Sequence, residues 1–149
     1  MNDLIANKKP SIQEKKRHTI KVQLVICLMT LVILSVRCEK GTARDFQILK
    51  NSRLASRPEI LKLGDAGYQG IQKIYSNSQT PIKKKKGIPL TKEETRFNRG
   101  LSKQRVVIEH INRRCKIFRV AKETYRGKHK NYGKVWNIIA GLVNLRYAA

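Results

Sequence analysis

Acidic residues are scarce in this chain. Its 149 residues include ten Asp and Glu against thirty-three Lys and Arg, giving a formal net charge of +23. A charge excess of this size indicates a polyanionic partner, and because the basic residues are spread along the sequence, nucleic acid fits better than a membrane surface. Basic ribosomal proteins share this composition, so charge alone does not choose among the classes of nucleic-acid-binding protein.

Cysteines and aromatic residues are also few. The three cysteines, Cys27, Cys38 and Cys115, form no C-x-x-C pair and leave an odd count, which indicates reduced thiols in a cytoplasm and not a disulfide framework. The three histidines show no ligand spacing with them, which argues against a zinc site. An aromatic content of 6% with 29% charged residues predicts one domain with a modest core.

No apolar run is long enough to cross a membrane. The longest, Val22 to Val36, falls short of the roughly 20 residues that a membrane-spanning helix needs. Its many Val and Ile residues favour two strands of about seven residues that meet around Leu28 to Thr30. We therefore expect a buried hairpin here, with an unusually apolar turn, and neither a membrane anchor nor a cleaved signal peptide.

Two of the scarce acids occupy distinctive settings. Asp65 stands in G-D-A-G-Y-Q-G after a predicted strand over 60–63, and Glu109 stands in R-V-V-I-E-H on a predicted helix. Such carboxylates on a cationic surface suit a phosphodiester-cleaving enzyme that uses divalent cations, because hard cations take oxygen ligands and phosphates need neutralising. The alternative is that Asp65 caps a glycine-rich turn and that Glu109 pairs with Arg105 and Arg113.

A basic loop is predicted over 76–90, where two prolines and a glycine surround Lys83, Lys84, Lys85 and Lys86. This run is either a solvated segment or a phosphate contact that reads no bases. Thr91 followed by Glu94 has the spacing of a capping box and predicts the start of a helix.

The predicted helix has an apolar arc that should pack on a sheet, formed by Leu101, Val107, Ile108, Ile111 and Cys115. Glu109 lies outside this arc. Four basic residues near it are candidates for binding DNA phosphates, namely Arg105, Arg113, Arg114 and Lys116. A last apolar segment over 132–147 predicts a second packed helix, with Trp136 in the core.

Five blocks of sequence extend this interpretation. They are K-K-R-H-T-I-K-V-Q from Lys15, E-K-G-T-A-R-D-F from Glu39, G-D-A-G-Y-Q-G from Gly64, P-L-T-K-E-E-T-R-F-N-R from Pro89 and R-V-V-I-E-H-I-N-R-R-C-K-I-F-R from Arg105. Together the blocks resemble bacterial insertion-sequence transposases of the DDE endonuclease superfamily, in the group related to Harbinger elements. The resemblance covers about Lys15 to Ala148.

The resemblance implies an α/β fold of the ribonuclease H-like type, a mixed sheet flanked by helices. It also implies that three acids, Asp, Asp and Glu, bind two Mg²⁺ or Mn²⁺ ions, and Asp65 matches the second acid and Glu109 the third. The implied reaction is metal-dependent DNA cleavage, in which water attacks a phosphodiester at a transposon end, followed by attack of the freed 3′ hydroxyl on target DNA.

The first acid of that set has no match. The family places it on the opening strand, in a D-G-T or D-V-T motif upstream of K-R-H-T, whereas residues 1–14 show neither the motif nor an apolar run, and Asp3 lies too close to K-R-H-T. We therefore expect a non-family or remnant segment over 1–14 and a partial catalytic domain over 15–149 that lacks its first, central strand.

Such a chain would be truncated, inactive alone, and associated with the nucleoid in a bacterial cytoplasm. The alternative is a non-enzymatic basic DNA-binding fragment that modulates an intact transposase, in which case the intact transposase or its upstream half is a partner. A structural protein of the ribosomal type would leave the acid-bearing motifs unexplained.

Overall fold

A computed structural model describes residues 2–7 and 19–148, with side chains described over 19–146. In these ranges the chain forms a mixed α/β structure. Its elements, in order, are β1 (Asn2–Asn7), β2 (Ile20–Cys27), β3 (Ile33–Lys40), α1 (Asp45–Ser52), β4 (Leu61–Leu63), two 3₁₀ turns (Ala66–Tyr68 and Ile71–Lys73), β5 (Ser78–Gln79), α2 (Lys92–Cys115), α3 (Arg119–Lys122) and α4 (His129–Ala148).

The sheet has five strands in the order β3-β2-β1-β4-β5. β1 lies at its centre, antiparallel to β2 and parallel to β4, and β4 is parallel to β5. The expectation that the chain lacks a central strand before Lys15 is therefore wrong. Asn2–Asn7 contains only three apolar residues, Leu4, Ile5 and Ala6, but two neighbouring strands supply backbone partners, and this tertiary context outweighs a weak local pattern.

The predicted hairpin is confirmed as the antiparallel pair β2 and β3. Its turn is closed by Leu31, which donates from its amide to the Cys27 carbonyl at 2.8 Å and adopts a left-handed φ of 60°. Leu28 and Leu31 are half-buried against the main core, which explains why this turn carries apolar residues. In the described ranges, no helix is long and apolar enough to span a membrane.

Two apolar layers cover the sheet. The larger layer joins it to α2 and α4, and its most buried members include Leu24, Ile26, Leu63, Ile108, Ile111, Trp136 and Ile139. The smaller layer, on the side of α1, contains Val25, Leu49, Tyr68 and Ile71. Trp136 is 1% exposed, so its predicted place in the core is confirmed. The segment after β4 thus contributes Tyr68 and Ile71 to the smaller layer.

The predicted start and apolar arc of α2 are also confirmed. The Thr91 hydroxyl accepts from the Glu94 amide at 3.1 Å, and the Glu94 carboxylate accepts from the Thr91 amide at 2.8 Å. The arc residues are buried or, for Val107, half-buried: Leu101, Val107, Ile108, Ile111 and Cys115. The helix therefore turns its basic, acid-bearing side away from the core.

Replacing Gly100, which lies inside α2, should stabilise the chain. A Cβ at this position would meet no atom within 4 Å. Gly100→Ala is therefore expected to raise the free energy of unfolding by up to about 1 kcal/mol, the difference in helix propensity between these residues. Urea denaturation measures this change in the free energy of unfolding. Gly70→Ala is the control and should destabilise the chain, because Gly70 has a φ of 91°. A loss of stability in Gly100→Ala would contradict this account.

Candidate metal and DNA-binding site

Asp65 lies two residues beyond the end of β4 and begins the 3₁₀ turn Ala66–Tyr68. One carboxylate oxygen, Oδ1, accepts a hydrogen bond from the Gly67 amide at 2.6 Å. The side chain is 21% exposed. The turn-capping role considered for Asp65 is thus confirmed. The second carboxylate oxygen, Oδ2, takes no part in this cap and faces another group.

That group is Arg105 of α2, whose Nη2 lies 3.8 Å from Asp65 Oδ2. Glu109 follows Arg105 by one helical turn, about 6 Å along the axis and about 40° around it. Its side chain is exposed, and among the described residues no ion pair joins it to Arg105 or Arg113. The alternative pairing for Glu109 is therefore wrong. That the two carboxylates lie within about 12 Å of each other, close enough to share a metal site, stays a prediction.

The carboxyl end of β1 determines how well a metal pair fits here. Asp3 pairs with Lys62 in the parallel register, so it falls three residues short of Asp65, about 10 Å along the strands. The last residues of β1, at the level of Asp65, are Ala6 and Asn7, and neither is an acid. Asp3 therefore lies at the wrong end of β1 to complete the set.

A two-ion site does not fit the residues that the structure describes. They include no group of three or more His, Cys, Asp or Glu side chains that could hold a metal. Two mutually repelling carboxylates can attract one hard cation, but holding a pair of ions about 3.5 to 4 Å apart needs a further ligand. That Asp65 and Glu109 bind a divalent cation stays a prediction.

A second carboxylate, missed by the sequence analysis, lies on the α1 side of Asp65. Asp45, the first residue of α1, pairs with Lys21 at 3.0 Å, and both side chains are only partly exposed. A Cβ at position 67 would lie 2.6 Å from Asp45 Oδ2 and 3.0 Å from Asp65 Oδ1. The two carboxylates therefore both lie against Gly67 where a side chain would project. The scarcity of acids that drew attention to Asp65 was a signal for Asp45 as well.

Tyr68 fixes the other end of the Asp65 turn. Its hydroxyl accepts from Gln23 Nε2 at 2.8 Å, and the ring is fully buried. Burial raises the pKa of Tyr68 well above its usual value, and the charges of Asp65 and Asp45 raise it further, while the hydrogen bond from Gln23 lowers it. Tyr68 thus stays neutral at physiological pH and serves as a buried anchor.

The basic loop is tied to both sides of this site. Gln69 Nε2 donates to the Pro81 carbonyl at 2.9 Å, which links the loop to the Asp65 turn. The Asn98 side chain of α2 accepts from the Ile82 amide at 2.9 Å and donates to the Ile82 carbonyl at 3.0 Å. The four lysines, Lys83 to Lys86, follow immediately and are all exposed. The loop is therefore held beside Asp65 at its base while its charges face solvent.

The candidate basic residues in and just after α2 project from different sides of the helix. Arg113 and Lys116 are exposed and lie about 80° and 20° around the helix from Arg105, so they extend the side that carries Glu109. Arg114 is about half a turn away from Arg105. A duplex that contacts the basic loop and Arg105 would thus meet Lys116 and Arg113 before Arg114.

A family model described as DDE superfamily endonuclease matches residues 7–144. The chain belongs to this family. Over 131 residues it is 44% identical to a protein of Microchaete diplosiphon named "Probable transposase for insertion sequence element IS702", an alignment that takes in 88% of this chain and 48% of that protein. The chain thus spans about half the length of that relative. No solved structure matches.

The family assignment made from the five blocks is confirmed. DDE superfamily endonucleases generally use divalent metals. Asp65, Glu109, Arg105 and the basic loop all fall inside the matched range of this DDE superfamily chain. The roles predicted for these residues stay predictions, and the structure adds Asp45, Gln69 and Asn98 as their neighbours.

Proposed function

We propose that this chain is the DNA-contacting, metal-binding region of a DDE transposase with a ribonuclease H-like fold, and that its metal site is incomplete. Asp65 and Glu109 are the proposed ligands of one Mg²⁺ or Mn²⁺ ion. The contact between Arg105 and Asp65 carries this proposal, because it brings the end of β4 against the helix that bears Glu109. The central position of the opening strand supports the fold type.

The proposed incompleteness is supported by the residues of β1 and does not depend on where the chain starts. A third carboxylate would have to stand level with Asp65 on the neighbouring strand, where Ala6 and Asn7 are found. Without it the chain is proposed to bind a divalent cation weakly and to cleave no DNA on its own. The division of the chain at residue 14 stays a prediction.

DNA is the proposed partner, bound through its phosphates. Lys83 to Lys86 project from a loop that Gln69 and Asn98 hold beside the Asp65 turn, and Arg105, Arg113 and Lys116 continue the positive surface along α2. In a complete transposase this surface would hold transposon ends and target DNA. Contacts of this kind position a duplex without reading its bases.

The second candidate function is a non-enzymatic DNA-binding fragment that modulates an intact transposase. It is favoured by the contacts of Asp65, whose two oxygens are directed to Gly67 and Arg105. Both candidates include DNA binding, so only metal binding separates them.

Titration with Mn²⁺, followed through the electron paramagnetic resonance signal of the free ion, provides the test. Asp65→Asn and Glu109→Gln should each weaken Mn²⁺ binding about tenfold, equivalent to 1.4 kcal/mol, because each removes one of two anionic ligands. Glu123→Gln is the matched control, since it removes an equal charge from an exposed pair with Arg119. If all three variants bind Mn²⁺ like the unmodified chain, the second candidate function is the correct one.

A further inference from the structure

The contacts around Gly67 show how the Asp65 turn is held on the sheet. The Asp45 carboxylate lies so close to Gly67 that a Cβ there would stand 2.6 Å from Oδ2. Asp65 Oδ1 accepts from the Gly67 amide and lies 3.0 Å from the same Cβ position. A glycine is needed between the two carboxylates because any side chain would displace one of them.

Asp45 is itself fixed from β2. Lys21 Nζ donates to Asp45 Oδ1 at 3.0 Å and to the Ala43 carbonyl at 2.8 Å, so one ammonium group holds both the first residue of α1 and the segment before it. The pair is about four-fifths buried, which shields it from the solvent screening that makes most surface pairs weak. The position of the Asp45 carboxylate is thus set by two elements of the fold.

A second connection runs from β2 to the same turn. Gln23, which is 1% exposed, donates through Nε2 to the Tyr68 hydroxyl and also lies 3.4 Å from the Asp45 carbonyl. Alternate residues of one strand, Lys21 and Gln23, therefore reach α1 and the Asp65 turn from the same face of the sheet. Together they restrict the turn at Gly67 and at Tyr68, the second and third residues after Asp65.

We propose that Asp45, held by Lys21, is a positioning residue for Asp65. The claim rests on the proposed function, in which Asp65 binds a divalent cation. With Lys21 present, Asp45 packs on Gly67 without repelling Asp65 strongly, because the ammonium group balances its charge. Without Lys21, the unbalanced Asp45 carboxylate pushes Asp65 and Gly67 away, and the metal ligand loses its orientation.

Two substitutions separate this role from a direct electrostatic or ligand role. Asp45→Asn removes a negative charge and should weaken Mn²⁺ binding under any of these mechanisms. Lys21→Met removes a positive charge near the ion, so electrostatics alone predicts tighter Mn²⁺ binding. Positioning predicts the opposite, a several-fold weaker binding, because the partner of Asp45 is lost. The sign of the Lys21→Met effect is thus decisive.

Hydrogen exchange of the Gly67 and Tyr68 amides, measured by NMR on the full chain without metal, supplies an independent readout. Both amides donate to Asp65, the first to its side chain and the second to its carbonyl at 3.0 Å. We expect Asp45→Asn and Lys21→Met to accelerate their exchange several-fold. The pair Arg119 and Glu123, at the same 3.0 Å but exposed, gives the controls Arg119→Met and Glu123→Gln, which should leave these amides unchanged.

The outcomes distinguish the two claims. If Asp65→Asn binds Mn²⁺ as tightly as the unmodified chain, the proposed function fails. Faster amide exchange at Gly67 and Tyr68 in Asp45→Asn and Lys21→Met would still support the positioning of Asp65 by Asp45. Tighter Mn²⁺ binding in Lys21→Met, or unchanged amide exchange in both variants, would overturn the positioning role. Thermal unfolding of each variant confirms that the compared proteins are folded.

Discussion

Raising the salt concentration from 50 to 200 mM should weaken binding of this chain to a DNA duplex by about four orders of magnitude. Each neutralised phosphate releases condensed counterions, so the logarithm of the binding constant falls with the logarithm of the salt concentration. If all eight predicted basic residues contact phosphates, the slope should be about −7. Those residues are Lys83, Lys84, Lys85, Lys86, Arg105, Arg113, Arg114 and Lys116.

The same reasoning predicts that the sequence of the duplex has little effect. Fluorescence anisotropy with two duplexes of unrelated sequence, at several salt concentrations, measures both properties. A shallow slope, or a strong preference for one duplex, would show that binding is not dominated by phosphates.

The basic loop provides a sharper form of this prediction. Replacing Lys83 to Lys86 with Gln should change the slope from about −7 to about −4, because four phosphate contacts are lost. The loop is exposed and attached through Pro81 and Ile82, whose backbone contacts with Gln69 and Asn98 do not involve the lysines. The substitutions should therefore leave the fold and the Asp65 turn intact.

An equal change in net charge elsewhere is the matched control. Lys122, Lys128, Lys130 and Lys134 are exposed residues of α3, α4 and the segment between them, outside the predicted DNA surface. Converting these four to Gln lowers the net charge equally but should leave the slope near −7. Equal slopes in the two variants would mean that the chain binds DNA through its overall charge and that the loop lysines make no more phosphate contacts than other lysines.

Elements with strong local signals were predictable from the sequence. The run rich in Val and Ile predicted the hairpin of β2 and β3. The capping box at Thr91 predicted the start of α2, and the apolar arc predicted the buried face of that helix. In each case neighbouring residues along the chain carry the pattern, so no knowledge of the tertiary structure is required.

β1 was not predictable in this way. Its six residues have too few apolar positions to indicate a central strand, and it is defined by pairing with β2 and β4, which lie far along the chain. The approach of Asp45 to Gly67 likewise depends on how α1 packs on the sheet. Long-range packing of this kind leaves no periodic trace in the sequence. The sequence also predicted that a third carboxylate of the metal site is lacking, and this stays a prediction, although a strand lies where none was expected.

Adding that carboxylate should therefore strengthen the metal site. Asn7 is the last residue of β1 and pairs with Gln23, the residue that anchors the Asp65 turn through Tyr68. Asn7→Asp changes an amide to an acid of nearly the same shape at the carboxyl end of β1, and we expect it to supply a third anionic oxygen ligand. We expect Mn²⁺ binding to tighten by about tenfold or more, equivalent to at least 1.4 kcal/mol.

The same strand offers a control of identical chemistry. Asn2 is the first residue of β1, five residues and about 17 Å from Asn7 along the strand. Asn2→Asp adds the same charge at the far end of the sheet and should leave Mn²⁺ binding nearly unchanged. Equal tightening in both variants would mean that the ion responds to net charge and not to a third ligand beside Asp65.

Nicking of supercoiled plasmid in the presence of Mn²⁺ extends the test from binding to chemistry. The unmodified chain and Asn2→Asp should produce no nicked product, whereas Asn7→Asp should produce some, and adding Glu109→Gln to Asn7→Asp should abolish it. The added acid allows two ions to be held at catalytic separation, which two carboxylates alone do not achieve. Robust nicking by the unmodified chain, lost in Glu109→Gln, would show that its site is already complete. Asp45 and Asp3 would then be the acids to replace first, because Asp45 lies against Gly67 of the Asp65 turn and Asp3 is the acid of β1.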